Sequence, residues 1–394
     1  MITRRFGRTE LAMPVLTCGG MRYQHKWNDV PPEDIPKANQ ENLERTIHRA
    51  LELGINHIET ARGYGTSEMQ LGWVLPKLPR EKLIIQTKVS PHEDPKEFLA
   101  TFEKSLAYLN LDYVDLLSFH GINNQELLNQ TILQKGCMKI ARQLQKEGRA
   151  RFIGFSTHAH VQTIQAAVNT GEFDYVNLHW YWVNDRNWPA VLDARKQDMG
   201  VFIISPNDKG GKLYEPPAKL VRLCQPLSPM VFNDLYCLLR PEVHTLSIGA
   251  ARPGDFDEHV HALTFLDQAA ELVPPIDRRL REAVAEVHGE RWLETWERGI
   301  PDWEQVPGEI NIWEIIRLWT CAKALDLVEF AKMRYNLLGN AGHWFPGKNA
   351  DSLPELNLAP CLAQSPHRDR ILAALEESRT WLKAEEKKRL SESD

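Results

Sequence analysis

The sequence predicts an α/β chain: a closed (β/α)8 TIM barrel carrying a helical C-terminal appendage. Three observations lead there. Eight short runs rich in Val, Ile and Leu alternate with amphipathic stretches of helical length over residues 1–273. No Gly-x-Gly-x-x-Gly occurs in the 394 residues, whereas a doubly wound open sheet usually carries that fingerprint after its first strand. After about residue 273 the rhythm stops and only helical patterns remain.

In chain order the strands are expected in "PVLTCG", "INHIET", "LIIQTKV", "VDLLSFH", "RFIGFST", "YVNLHWY", "VFIISP" and "TLSIGA". The helices between them are expected in "NLERTIHRALELG", "SEMQLGWVLPKL", "PKEFLATFEKSLAYL", "CMKIARQLQKEG", "HVQTIQAAVNTG", "WPAVLDARKQDMG" and the segment from Ala218 to Leu239, with "DFDEHVHALTFLDQAA" after the last strand. Right-handed crossovers stack the helices outside one parallel sheet, which favours closure into a barrel. Gly54, Gly148, Gly171 and Gly200 stand at helix ends, where a left-handed cap suits the turn into the next strand.

"VPPIDRR" reads as a boundary, giving a barrel over 1–273 and a helical region over 274–394. That region holds "IDRRLREAVAEVHGERWLETWERG" and "INIWEIIRLWTCAKALDLVEFAKMRYNLLG". Seven of the twelve tryptophans (Trp292, Trp296, Trp303, Trp313, Trp319, Trp344, Trp381) lie in it, enough aromatic area to imply packing and not disorder. The last dozen residues, "KAEEKKRLSESD", read as frayed.

Composition narrows the function. Hydrophobic residues make up 43% and charged residues 25%, the profile of a soluble globular protein. The formal net charge is −6 without a long basic run, which argues against nucleic acid or an anionic membrane as partner. No secretory h-region opens the chain and no stretch approaches the ~20 apolar residues of a membrane span, so a cytoplasmic location is expected. Among Cys18, Cys137, Cys224, Cys237, Cys321 and Cys361 no two are separated by only two residues, which excludes a zinc ribbon or a Cys-x-x-Cys redox pair.

Barrel enzymes work at the C-terminal ends of their strands. Those ends carry Glu59 and Tyr64 after the second strand, Lys88 after the third, His120 after the fourth, Ser156 and Thr157 after the fifth, and Asn177 on the sixth. Singly, each reads as readily as a solvated or structural residue. Together they suit carbonyl chemistry. A tyrosine beside a lysine can act as a general acid, because an adjacent ammonium lowers a phenol from its usual value near 10. A carboxylate would keep that lysine charged, and a histidine could orient a carbonyl oxygen.

The segments "ETARGYGTSE", "IIQTKV" and "VDLLSFHG" resemble the aldo-keto reductase family, over roughly residues 2 to 270. The resemblance implies a (β/α)8 barrel that uses NADP(H) without a Rossmann domain. The family's Asp, Tyr, Lys and His would fall on Glu59, Tyr64, Lys88 and His120, with Tyr64 as general acid toward an aldehyde, ketone or quinone. It further implies cofactor contacts from Gly20, Met21 and Arg22 after the first strand. "GRARFIGFST" would place Ser156 and Thr157, with Asn177, on the nicotinamide carboxamide, and Trp180 on the ring. "ISPNDKGGKL" would place Ser205, Asn207 and Gly211 at the pyrophosphate. "IGAARPGDFDEH" would place Gly249 and Arg252 at the adenosine end, Arg252 on a 2′-phosphate, and Asp255, Glu258 and His259 along the adenine; guanidinium geometry suits a phosphate, hence NADPH over NADH.

One departure stands out. The family's strand-2 carboxylate is Asp, and here it is Glu59. The extra methylene moves the carboxylate by about 1.5 Å on a fixed backbone. It can bend back to Lys88, approach Tyr64 and raise its pKa, or swing away.

The tail adds a second resemblance. "VPGEINIWEIIRLW" and "CLAQSP" resemble the cysteine-rich motifs of a ferredoxin-like appendage found on some aldo-keto reductases, with the cluster cysteines gone. A [4Fe–4S] cluster normally takes four cysteines, and this region has Cys321 and Cys361, so no iron–sulfur cluster is expected. "RYNLLGNAGHWFPG" fits a lid, a protein-partner surface or a structural loop.

Two rivals remain. A barrel that binds NADP(H) without turnover could act as a redox sensor. A metal-dependent hydrolase is suggested by His158 and His160 with His120 and His179, though "PVLTCGG" lacks the His-x-His that such barrels generally carry on the first strand. The resemblance implies a small carbonyl compound as substrate. The long polar "MRYQHKWNDVPPEDIPKANQ", with Trp27, His179, Trp180 and Trp182, suggests an aromatic-lined pocket.

Overall fold

The structure, a computed structural model, describes residues 1–133 and 136–384. Of "KAEEKKRLSESD" only Lys383 and Ala384 fall within that range. The chain divides into two compact units, one built from residues 1–206 and 234–266, the other from residues 207–233 and 267 onward.

The first unit is the barrel. Strands β3 (Leu16–Gly19), β4 (His57–Glu59), β5 (Ile84–Val89), β6 (Val114–Phe119), β7 (Ala150–Ser156), β8 (Tyr175–Leu178), β9 (Gly200–Ile203) and β10 (Thr245–Ile248) run parallel and close in that order. All eight expected strands are present. The helices α1 (Lys37–Glu52), α2 (Ser67–Gly72), α3 (Pro95–Leu109), α4 (Gln125–Ile132), α5 (Cys137–Lys146), α6 (Val161–Asn169) and α7 (Trp188–Lys196) follow the strands. The expected helix from Ala218 to Leu239 is two, α8 (Ala218–Cys224), which belongs to the second unit, and α9 (Pro229–Leu238); α10 (Asp257–Leu263) follows β10.

Ahead of the barrel lies an antiparallel hairpin of β1 (Thr3–Arg5) and β2 (Ala12–Pro14). Phe6 and Met13 from it pack with Ile84, Leu116, Tyr175 and Phe202, filling the barrel away from the C-terminal strand ends. Three-residue strands are too short to show a period-two pattern, so the hairpin left no sequence signal.

Gly54, Gly148 and Gly171 do adopt the left-handed conformation, at φ 78°, 74° and 72°. Gly200 does not. Asp198 takes the positive φ in its place, and Gly200 opens β9, where a Cβ would lie 2.5 Å from the Phe6 ring. Close packing of the hairpin, not a cap, requires that glycine.

The second unit contains α11 (Ala269–His288), α12 (Glu290–Thr295), α13 (Ile312–Leu325), α14 (Val328–Tyr335) and α15 (Arg368–Trp381). "VPPIDRR" lies inside a helix of the second unit, which the chain re-enters at Asp267. Pro274 and Pro275 lie inside α11, whose buried Val273, Ile276, Leu280, Ala283 and Val284 form one apolar face. Burial of that face outweighs the two amide hydrogen bonds that the prolines forgo. The tryptophans pack as the sequence suggests: Trp292 stacks on His288 and Trp296, meets Trp319 edge-on, and carries the Arg370 guanidinium 4.3 Å above its ring. Among the described residues the six cysteines form no disulfide, and no helix is long and apolar enough to cross a membrane.

Candidate active site

Register brings the first four polar residues together. Glu59 closes β4 opposite Gln86 of β5, and strand alternation puts Lys88 on the same face as Gln86. The Glu59 carboxylate therefore meets the Lys88 ammonium in an ion pair, with side chains 4% and 2% exposed. Gly19, on the neighbouring strand, makes room for it; a Cβ there would stand 2.6 Å from Ser247 Oγ and 3.4 Å from Glu59 Oε2. Of the three courses open to the longer side chain, the structure holds the one that reaches lysine.

Lys88 Nζ also donates to the Thr60 carbonyl and to the Tyr64 hydroxyl, each at 3.1 Å. The same hydroxyl lies 3.5 Å from Glu59 Oε1. Tyr64 sits on a tight turn, its amide bonded to the Ala61 carbonyl and its carbonyl accepting from Ser67. Gly65 completes the turn at φ 54°, where any side chain would strike the Lys26 carbonyl. The His120 ring stands edge-on to Tyr64 with centroids 5.6 Å apart, and its amide is fixed by Val89 at 2.8 Å.

Electrostatics differ from the simple expectation for Tyr64. Burial raises the phenol above its ordinary value, and the neighbouring ammonium does not reverse this. Burial likewise pushes Lys88 well below the usual lysine range. Desolvation disfavours both charged forms, and the Glu59 carboxylate on Nζ opposes it for the lysine.

The residues assigned to the cofactor are less uniform. Ser156 of β7 and Asn177 of β8 are direct register partners. Asn177 is buried with neither amide atom hydrogen-bonded. An unpaired buried amide is costly, so it marks a place where a ligand amide fits. Ser156 Oγ accepts from the Gly121 amide at 3.0 Å, a bond that leaves its own hydrogen unused. The Thr157 hydroxyl is spent on its loop, donating to the Ile122 carbonyl at 2.7 Å and accepting from the Ala159 amide at 3.0 Å.

Trp180 is core. It is 2% exposed, stacked on Tyr236 at 5.0 Å and tilted against Trp188 at 4.7 Å, because the chain after β8 turns back through the Tyr181–Asn184 bridge. His259, expected along the adenine, is instead buried against the Asp234 carboxylate, 2.5 Å away. Burial favours that partner over solvent for an imidazole.

At the first and eighth strands, Arg22 donates to the Gly249 carbonyl at 2.9 Å. Gly20 bonds the Glu59 carbonyl at 2.7 Å, and Met21 follows it. Arg252 is 78% exposed, oriented by Asp255, whose other oxygen accepts from the Ala251 amide; Glu258 is exposed nearby. Ser205 has a positive φ of 53°. Asn207 and Gly211 belong to the second unit, in a loop closed by Leu213 donating to the Asn207 carbonyl at 2.8 Å.

The histidines behind the hydrolase alternative do not converge. His158 and His179 meet at 3.2 Å, His160 meets Arg186, and His120 faces Tyr64. Among the described residues no group of three or more His, Cys, Asp or Glu is placed to hold a metal. Sequence reasoning missed Arg62 and Glu68. The Glu68 carboxylate is fully buried, bonded by Arg62 at 2.6 Å and by the Thr87 hydroxyl at 2.5 Å. A charged residue opening the apolar "SEMQLGWVL" was the available signal.

The family model for the aldo/keto reductase family matches residues 15–206. An L-galactose dehydrogenase from Arabidopsis thaliana is 34% identical over 256 residues, which are 56% of this chain and 78% of the relative. An NADH-specific methylglyoxal reductase from Escherichia coli is 27% identical over 42% of this chain and 56% of its own length. In fold, an aldo-keto reductase from Bacillus halodurans in its holo form superposes with a TM-score of 0.60 at 20% identity, covering 71% of this chain and 96% of the other. One from Klebsiella pneumoniae in complex with NADPH gives 0.54 at 18% identity, covering 69% and 95%. The chain belongs to the aldo/keto reductase family and is an oxidoreductase of its NAD(P)H-dependent type.

Proposed function

We propose that the protein is an NADPH-dependent reductase of small aldehydes or ketones, quinones included, with Tyr64 as general acid. The observation that carries this is the Lys88 Nζ to Tyr64 hydroxyl contact at 3.1 Å, in a group completed by Glu59 and His120. A nicotinamide held by Ser156 and Asn177 would supply the hydride that a carbonyl carbon accepts. Tyr64 gives its proton to the carbonyl oxygen, and its raised pKa keeps it in the donor form at neutral pH. Lys88 holds the phenolate that remains until water restores its proton. His120, edge-on to Tyr64, limits where the carbonyl oxygen can sit.

The unpaired amide of Asn177 and the hydroxyl of Ser156 fit the nicotinamide carboxamide. Arg252, solvent-facing and oriented by Asp255, suits a 2′-phosphate and so NADPH, although one relative is named NADH-specific. The relative named L-galactose dehydrogenase extends the substrate range to polyhydroxy compounds and to the reverse direction, in which the phenolate accepts the proton. We read the C-terminal region as a ferredoxin-like appendage without cluster ligands, serving as packing or a partner surface, in a cytoplasmic protein.

NADPH consumption with a reactive aldehyde, compared between wild type and Tyr64→Phe, tests this. The variant should lose roughly 10²–10⁴-fold in kcat. Equal rates would remove Tyr64 from the chemistry. A second reading, NADP(H) binding without turnover, draws on Glu59, which stands where the family carries Asp and lies 3.5 Å from the Tyr64 hydroxyl, where its charge disfavours the phenolate. It predicts cofactor binding with no turnover in either protein.

A further inference from the structure

We propose that Asp29 is a positioning residue: it latches the segment 20–36 onto the Tyr64 turn through Arg62 and Lys104, and so fixes Trp27 beside the general acid. The kinetic consequence rests on the reductase reading above; the geometry does not.

The segment joins β3 to α1 and contains a single 3-10 turn, Pro32–Asp34. Loops of this length without regular structure are usually functional. Up to Trp27 it is held by backbone. The Thr66 amide donates to the Lys26 carbonyl at 2.9 Å, and the His25 and Lys26 amides donate to Thr66 Oγ1 at 3.0 and 3.2 Å. The Trp27 ring then meets Tyr64 edge-on, with centroids 6.2 Å apart at 81°.

Beyond Trp27 the hold is ionic. Asp29 contacts the Arg62 guanidinium, from the Tyr64 turn, and accepts from Lys104 of α3 at 2.7 Å. Arg62 is itself fixed, by buried Glu68 at 2.6 Å and by the Gly65 carbonyl at 3.0 Å. Glu68 in turn binds Thr87, the residue before Lys88. One chain of charge-assisted bonds therefore runs from the loop to the strand that carries the lysine. Arg62 is 13% and Asp29 33% exposed, so this pair is less screened than a surface pair. Asp29 supplies the ion pairs that hold the tip of the segment, and without it Trp27 loses the restraint on its far side. Substrate binding should weaken, while Tyr64 and Lys88, on their own turn and strand, keep their place.

The test uses the full chain with Asp29→Asn, and Asp29→Glu as the conservative control. Native-state trypsin cleavage after Lys26 and Lys37, the sites that bound the stretch held by Asp29, should speed up roughly tenfold in Asp29→Asn and return toward wild type in Asp29→Glu. With NADPH saturating, KM for a reactive aldehyde should rise about fivefold and kcat stay within about twofold. Unchanged cleavage and KM would overturn the latch, as would a collapse of kcat at constant KM. Faster cleavage in a protein that reduces no carbonyl would keep the latch and sink the reductase reading instead.

Discussion

The ends of β4, β5 and β6 and the ends of β7, β8 and β10 present equally polar residues, yet they are organised in opposite ways. On the first side Glu59, Tyr64, Lys88 and His120 turn toward one another, and every charge has a partner. On the second side Thr157, Trp180 and His259 turn into their own loops or the core, Arg252 faces solvent, and Asn177 is left buried without a partner. Proton transfer needs preorganised charge, which has to be assembled before substrate arrives. Nucleotide binding needs groups that a ligand can complete, and an unpaired amide at a strand end is such a group.

The largest break in this contrast is Tyr64→Phe, which should remove turnover and spare cofactor binding. The second side is probed by Arg252→Ala. NADPH affinity should fall about tenfold and NADH affinity stay level, read by fluorescence titration. Equal loss for both cofactors would take the 2′-phosphate away from Arg252.

A smaller effect sharpens the first side. Glu59→Asp withdraws the carboxylate from the Tyr64 hydroxyl, 3.5 Å away, and should raise kcat/KM about threefold by easing proton release. Equal turnover would show that the extra methylene is neutral.

Smallest at neutral pH is the titration of His57, two residues before Glu59. Burial holds its imidazole down at about 3, and Thr17 Oγ1 lies 2.7 Å from Nδ1. The unfolded chain takes up a proton below about 6.5 and the folded chain does not until about 3. Stability is therefore full above about 6.5 and falls as pH drops below it, by up to about 1.4 kcal/mol per unit. Thermal unfolding followed from pH 7 to pH 5 should show the decline, and His57→Asn should flatten it.

The barrel itself was legible because its strands are buried on both faces and read as continuous apolar runs. That Glu59, Lys88 and His120 arrive at one rim was legible because strand ends are fixed once the strands are. Less could be read where side chains choose among partners. Trp180 and Arg62 carry no local mark of whether they face a ligand or each other's neighbours, and Pro274–Pro275 carry a local mark that packing overrules.

Sequence alone thus determined the eightfold strand rhythm, the helical tail and the residue types at the mouth, since periodicity and burial are properties of short windows. Only the tertiary structure decided that Glu59 reaches Lys88 past Gly19, that His259 pairs with Asp234, and that Asp29 meets Arg62 and Lys104. Those contacts join residues from 25 to 75 positions apart, and which of several charged partners is taken depends on desolvation at the place where they meet.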